Sequence, residues 1–535
     1  MSYNVRYMVT VALIVALGGF LMGFDASVIS GVIRFMEVEF ELTKFELGWG
    51  ASSLALAATV AMMAAGPVSD RFGRRPVLKV AAVLFAISAI MSALAPNFIT
   101  LVIARMIGGL GVGAALIIAP MYIAEIAPAE VRGKMVSFNQ LNIVIGISAA
   151  FFSNYLILTL GDSGAEWAQA INLGEWNWRY MLGVETLPAI LYFFALLLVP
   201  ESPRWLALKH REEEALAVLE RVSGPEQAKA ELRSVHESIE AEAEIESVSV
   251  LDLFHPSLRL VLTIGVSIGI LQQITGINAV FFYSPMIFEQ SGFGTNAAFM
   301  SAVIVGLVNL VCTVAAMALI DKLGRRPLLG FGMAGMGICM LILAWGFGTA
   351  TYSLDEDAIA SLPQEIDQPA LVAVSDVVYE SDIEFRDALT AVIGADAYQE
   401  HESALVNGAI ELNPQLILVA ILGFVGSFAF SLGPIMWVLF SELYPNNVRA
   451  TAISFVGPIN SIVAFLITLI FPWQLANMGS ATTYLIFGLF ALGGLVLLLR
   501  LLPETKGRSL EELEELLVRT ESEAVGGGSG GGDEI

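Results

Sequence analysis

Three ionisable residues sit where a chain seldom keeps them. Asp25, Arg105 and Glu185 each lie inside a long apolar run. A charge at the centre of a lipid-spanning helix costs about 2.5–3.5 kcal/mol on insertion scales, so each is a functional hypothesis by default. The chemistry open to such a carboxyl group is proton binding, because burial raises its proton affinity and a nearby guanidinium lowers it. Amides within apolar runs make a second group, among them Gln140, Gln272, Gln273, Asn278, Asn309 and Asn460, with Trp437 in a run as well. Amides donate and accept at once, as a ligand bearing hydroxyls requires, and an indole face can cover its C–H groups. Taken singly, an amide in a membrane helix more often bonds a neighbouring helix. A third group lies at the ends of the runs: Asp70, Arg71, Glu125, Arg132, Glu201, Arg204, Arg325, Glu442, Arg449 and Glu504. Charges there are placed to pair between helices, although topology and capping explain any one of them.

The elements that position these residues are membrane spans. The chain has 535 residues, 56% hydrophobic and 15% charged, with a mean hydropathy of +0.74, which is more apolar surface than a soluble core hides. Apolar runs lie near 8–33, 47–69, 77–95, 99–124, 134–160 and 178–199, then near 258–290, 297–320, 327–349, 414–441, 450–475 and 480–502. Each is long enough at about 1.5 Å per residue to cross about 30 Å of hydrocarbon. Only helices or closed barrels satisfy their backbone in lipid, so the pattern predicts an all-α membrane protein with twelve transmembrane helices. The first run carries Asp25 and lacks a small-residue cleavage site, so it is expected to stay in the protein. With both termini cytoplasmic, about 22 of the 27 Lys and Arg fall inside, and Arg34, Lys44, Arg179 and Arg386 outside.

The net charge of −24 argues against nucleic-acid partners. Cys312 and Cys339 lie within apolar runs, and His210, His236, His255 and His401 are scattered. They form no disulfide framework, metal-ligand set or catalytic spacing, so neither an enzyme nor a cofactor is expected.

The chain is built twice. Asp70-Arg71-Phe72-Gly73-Arg74-Arg75-Pro76 follows the second run and Asp321-Lys322-Leu323-Gly324-Arg325-Arg326-Pro327 the eighth. Glu125 stands seven before Arg132, as Glu442 stands before Arg449; Pro200-Glu201-Ser202-Pro203-Arg204 is matched by Pro503-Glu504-Thr505-Lys506-Gly507. The division expected is a first half at 1–200, a cytoplasmic helical linker at 201–256 with amphipathic stretches at 212–222 and 229–241, and a second half at 257–505. A tail at 506–535 ends in a Gly-rich stretch. The interval from Asp321 to Glu442 exceeds that from Asp70 to Glu125 by about 60 residues, which marks an acidic insertion at 350–413. It is expected to be extracytoplasmic and solvated, a small cap with short helices around 383–395 and no part in transport.

The paired Asp-Arg-x-Gly-Arg-Arg loops resemble the signature of the major facilitator superfamily. Pro200-Glu-Ser-Pro-Arg204, Pro503-Glu-Thr-Lys-Gly507 and Gln272-Gln273 followed by Asn278 narrow the resemblance to its sugar porter family. It implies two pseudo-symmetric six-helix halves and a monosaccharide carried by alternating access near the bilayer midplane. It implies that Asp25 and Arg105 are a proton-coupling pair with Glu185 a lesser partner, and that the helix-end charges latch the cytoplasmic side. It also implies that Gln140, Gln272, Gln273, Asn278, Asn309, Trp437 and Asn460 bind the sugar, with Phe24, Phe281, Phe282 and Tyr283 as further lining. Gln272 and Gln273 point about 100° apart on a regular helix; both meet one ligand only if the seventh helix is irregular, as Gly276 and Pro285 suggest. The chain departs from the family at Ser461, where an indole is common, at Ile147, and at Met317, the counterpart of Gly66, where helix packing is expected to be looser. Glucose, xylose, galactose, arabinose and inositol all suit the set. The reading is a plasma-membrane sugar–proton symporter, monomeric, in a lipid bilayer. The alternatives are a facilitative sugar uniporter and a non-transporting sugar receptor; the short tail argues against the second.

Overall fold

The computed structural model describes residues 4–128, 131–244, 249–363, 365–445, 448–506 and 512–513, without the side chains of Lys134, 241–244 and Asp321; the Gly-rich end of the tail lies outside them. The chain forms twelve spans. The first six are Val5–Val28, Lys44–Phe72, Arg74–Ala93, Phe98–Ile126, Arg132–Gly161, and a sixth in two pieces, Asn177–Gly183 and Thr186–Ala195. The seventh is in three pieces, Arg259–Ile274, Ile277–Phe282 and Ser284–Glu289; the eighth is Thr295–Leu323 and the ninth Arg325–Gly348. The tenth is in two pieces, Pro414–Phe430 and Leu432–Leu443, and the last two form one run, Arg449–Leu501, parted at Gly479.

Local chemistry sets these limits. Thr43 and Glu46 form a reciprocal capping box at the start of the second span, and the Asn97 side chain accepts from the Thr100 N–H at the start of the fourth. The turns after the second and eighth spans pass through Gly73 (φ 103°) and Gly324 (φ 92°), which a side chain would strain. A Cβ on Gly73 would also meet the Glu201 carboxylate, and one on Gly324 the Glu504 carboxylate at 2.8 Å. The repeated Gly of the loop motif therefore makes room for the repeated Glu four spans later.

Between the second and fourth spans small residues allow backbone contact. A Cβ on Gly109 would stand 2.9 Å from the Ala57 methyl, and one on Gly113 2.7 Å from that of Ala61. In lipid such close packing replaces the hydrophobic drive that water gives a soluble protein. The linker helices Pro203–Leu208, Glu212–Ser223 and Pro225–Glu244 pack under the first half: Ala215, Val218 and Val222 share a core with Met8 and Tyr122, and Trp205 Nε1 donates to the Asp70 carbonyl at 3.0 Å.

The halves meet on one side of the membrane, the face carrying the insertion. There Arg34 Nη1 lies 2.6 Å from Glu289, Trp49 abuts Phe465 edge-on, Phe151 lies against Phe281, and Gly48 meets the Leu469 carbonyl. One core cluster holds Phe24, Val28, Leu47 and Phe151 of the first half together with Ile268, Phe281 and Phe471 of the second. The second and eleventh spans, in contact at Gly48 and Leu469, have no neighbour within 4 Å of a Cβ at Gly66 or Gly457 near the opposite, loop-motif face. The structure is closed on the insertion face and splayed on the motif face. Gly66 is thus no point of close packing.

The insertion is also more than a solvated segment. Thr351–Tyr352 pairs antiparallel with Ile410–Glu411 at its base, and helices Asp382–Ile393 and Ala395–Ala409 enclose a core that includes Tyr352, Leu371, Phe385, Leu389 and Leu405. Acidic residues dominate its composition, yet its apolar minority converges.

Overpacking a tight helix contact costs about 1–3 kcal/mol. Gly113→Val is therefore expected to lower the thermal unfolding midpoint in detergent by several degrees. An unchanged midpoint would show that the second and fourth spans part without cost.

Candidate functional site

In the first half the ionisable residues converge. Asp25, near the end of the first span, and Arg105, on the second turn of the fourth, are 2% and 1% exposed. Their side chains form an ion pair, and the guanidinium donates to the Asp25 carbonyl at 2.9 Å as well. A Cβ on Gly108 would stand 2.6 Å from Asp25 Oδ2 and 2.5 Å from Ser88 Oγ, so the glycine opens space for the carboxylate. Glu185 is 2% exposed and falls at the break in the sixth span. Pro188 lacks the N–H that would bond Val184 in a regular helix, and the Leu187 N–H bonds that carbonyl instead at 3.3 Å. Asp25 Oδ2, Arg105 Nε and Glu185 Oε1 are buried with no protein hydrogen-bond partner among the described residues. One guanidinium thus faces one paired and one nearby carboxyl group, with an acceptor still open on each.

In the second half four amides form a network at the break of the seventh span. Helix Arg259–Ile274 ends at Thr275, and Gly276 is left-handed (φ 92°) before the chain resumes. Asn460 Nδ2 donates to Gln272 Oε1 at 2.8 Å and to the Gly269 carbonyl at 2.7 Å; Gln273 Nε2 donates to Asn460 Oδ1 at 3.2 Å. Asn278, beyond the break, donates to Gln273 Oε1 at 2.9 Å. Gln272 Nε2 reaches the Leu432 carbonyl at 3.3 Å, beside the break in the tenth span at Ser431. The adjacent pair Gln272 and Gln273 meets on Asn460 because the eleventh span presents both amide ends between them. Such mutual donors and acceptors exchange readily for hydroxyl groups.

The other expected site residues stand apart from this network. Gln140 is half-buried in the fifth span, Asn309 is buried in the eighth, and Trp437 is 40% exposed in the tenth with its ring edge-on to Phe440. Of the aromatics, Tyr283 is committed to structure, donating to the Thr468 carbonyl at 3.0 Å and packing on Phe471. Phe24, Phe281 and Phe282 are buried.

At the motif face each half carries its own charge network. Arg74 is 3% exposed; it lies 2.9 Å from Glu125 and 2.8 Å from Asp70 and donates to the Ser69 carbonyl at 3.1 Å. Glu201 accepts from the backbone N–H groups of Arg74 and Arg75 at 3.1 and 3.2 Å, and Ser202 donates to Glu125. Burial pushes the Glu201 carboxyl up against the opposing pull of these N–H groups. In the second half Arg325 lies 2.7 Å from Glu442, and Glu504 accepts from the backbone of Arg325 and Arg326. Arg71 is exposed, its guanidinium over the Phe72 ring, and Arg132 is exposed at the start of the fifth span. Arg204 donates to Ser238, and Arg449 Nε donates to the Tyr444 carbonyl at 3.1 Å. The central cation of the first half is therefore Arg74, not Arg71, since the turn at Gly73 directs Arg74 inward. The internal repeat could have found it, because Arg74 is the counterpart of Arg325.

The family model described as Sugar (and other) transporter matches residues 11–361 and 388–517, and the unmatched stretch falls within the insertion. The arabinose-proton symporter of Bacillus subtilis (strain 168) is 35% identical over 518 residues, covering 97% of this chain and 97% of its own. The D-xylose-proton symporter of Escherichia coli (strain K12) is 33% identical over 547 residues, 96% of each chain. The solved inward open conformation of the xylose transporter XylE from E. coli superposes with a TM-score of 0.72 at 31% identity, covering 96% of this chain and 100% of that one.

Removing one partner of a buried ion pair typically costs about 3–5 kcal/mol. Arg74→Ala is expected to cause a loss of this order, read as a fall in unfolding midpoint, while Arg71→Ala leaves the midpoint within a degree. Equal effects of the two would move the structural role back to Arg71.

Proposed function

The chain belongs to the sugar porter family of the major facilitator superfamily, and we propose that it is a monosaccharide–proton symporter that works by alternating access. The observation that carries this reading is the buried Asp25–Arg105 pair, held in the same half as Glu185, with one oxygen of Asp25 open to a proton. The named relatives are arabinose- and xylose-proton symporters, which supports coupling over facilitated diffusion. Transport is the function of the family, and no covalent chemistry is assigned to the chain.

Arg105 lies seven residues, or about 10 Å along the helix, from the insertion-face end of the fourth span, and Asp25 three residues, or about 4.5 Å, from that of the first. A proton arriving from that side neutralises Asp25 and weakens its hold on Arg105. Glu185, buried within electrostatic reach of both groups, is the second carboxyl group on which the guanidinium can draw when Asp25 is neutral.

The sugar binds at the amide network, where its hydroxyls replace the bonds among Gln272, Gln273, Asn278 and Asn460. Gln140 and Asn309 approach it from the fifth and eighth spans, and Trp437 covers an apolar face from the splayed side. Because Gln273 and Asn278 lie on either side of the break at Gly276, ligand hydroxyls that bond both draw the two pieces of the seventh span together. The networks of Arg74 and Arg325 hold the helix ends of each half as rigid units and latch the motif face when the carrier turns. The positive-inside count supports a motif face and termini on the cytoplasmic side; a plasma membrane and a single chain as the transporting unit complete the reading.

Uptake of labelled monosaccharides into proteoliposomes, with and without an imposed proton gradient, tests the reading. The wild type is expected to accumulate one sugar with the gradient. Asp25→Asn is expected to abolish uphill accumulation and retain exchange; preserved accumulation in that variant sinks the coupling role. Gln273→Ala is expected to weaken sugar binding about tenfold or more by leaving buried amides unpaired. Unchanged affinity there would place the sugar elsewhere.

A further inference from the structure

The insertion is joined through the chain to the second half only, yet it grips the first. Its helix Ala395–Ala409 presents Gln399 and Glu402 to the loop between the first and second spans. Gln399 Nε2 lies 3.4 Å from the Glu37 carbonyl and 3.5 Å from the Leu42 carbonyl, and Glu402 lies 4.0 Å from Lys44 Nζ. Lys44 in turn lies 2.5 Å from the buried Glu37 carboxylate. On the other flank the insertion is bound more tightly to its own half. Asp382 Oδ2 accepts from the Ser480 N–H at 2.9 Å and hydroxyl at 2.8 Å, where the twelfth span begins, and Arg386 donates to the Ala476 carbonyl at 2.5 Å.

Between these two sets of contacts lies a chamber of about 340 Å³, lined by Lys44, Met286, Gln290, Tyr398, Arg386 and Pro472 among others. The insertion roofs it, and its floor is the seam where the halves meet. The long, few contacts on the first-half side and the short, charge-assisted ones on the second-half side differ in the way a detachable edge differs from a fixed one.

We propose that the insertion is a latch on the insertion face: it moves with the second half, and release of Gln399 and Glu402 from the 37–44 loop accompanies separation of the halves there. The proposal rests on alternation between the two halves and is independent of which solute is carried. It gives the chain a closure on this face that the internal repeat does not supply, since the insertion has no counterpart in the interval between the third and fourth spans. The tightly bound flank explains why the cap does not swing free when the loop lets go. Closure and opening are then biased by a handful of half-buried polar contacts whose strength falls with salt.

The test reads separation of the halves without any sugar. In full-length protein carrying Cys312→Ser and Cys339→Ser, a cysteine is placed at Ala51, one turn below Gly48 and 1% exposed. A membrane-impermeant maleimide is then applied from the insertion face of proteoliposomes. The Gln399→Ala/Glu402→Ala variant is expected to raise the labelling rate at least threefold, and the shape-preserving Glu402→Gln to raise it by a smaller factor. Asp382→Ala/Arg386→Ala, which loosens only the fixed flank, is expected to leave the rate within a factor of 1.5 on the order expected for exposed contacts. Unchanged labelling in both Glu402 variants, or an equal rise in the Asp382/Arg386 variant, would overturn the latch. Absence of sugar uptake by otherwise latch-competent protein would instead count against the transport reading alone.

Discussion

A guanidinium with almost no exposure, set among apolar helices, imposes a condition on everything around it. Arg105 must have a counter-charge at all times, and the nearest is Asp25 on another span. Gly108 is glycine because the carboxylate needs its space, and the sixth span breaks at Glu185 where a second carboxyl group is brought close. The first, fourth and sixth spans are tied at one polar point within lipid, where an unmet charge is far more costly than at a surface. That tie makes the first half a unit whose internal charge state can change while its packing, through Gly109 and Gly113, stays fixed.

The second half is built on the opposite principle. Its seventh and tenth spans are interrupted at Thr275–Gly276 and Ser431, both within reach of Gln272. Irregular backbone deep in a membrane is tolerated where side chains or a cavity satisfy the freed groups. Here neutral amides do so, and neutral amides bind hydroxyls without selecting a charge. In the proposed symport the rigid half takes the proton and the jointed half the solute, which divides the labour of coupling between them.

The spans, the duplication and the linker helices were legible in the sequence because hydrophobic runs and repeated charges are local signals. The break at Gly276 was legible as well, from a glycine close to a proline. The one at Ser431 was announced only by Gly433-Pro434, and the one at Glu185 by Pro188; both signals lie inside otherwise continuous apolar runs. Arg71 and Arg74 could not be told apart by type or by position at a helix end. The choice depends on the positive φ at Gly73, where the Glu201 carboxylate, from the segment after the sixth span, leaves no room for a side chain. The core of the insertion was hidden for a different reason: Tyr352, Leu371, Phe385 and Leu405 are far apart in sequence and diluted by acids, and only tertiary closure gathers them. Grouping Gln272, Gln273, Asn278 and Asn460 was within reach of pattern, whereas their mutual hydrogen bonds were not.

The contact between Gly48 and Leu469 sits about 6 Å from one end of the second span and about 36 Å from the other, treating the helix as a rod. A rod resting there is a lever with very unequal arms. Each degree of tilt displaces the motif end by about 0.6 Å and the insertion end by about 0.1 Å on the same geometry. Wide opening on the long-arm side therefore costs little disturbance on the short-arm side.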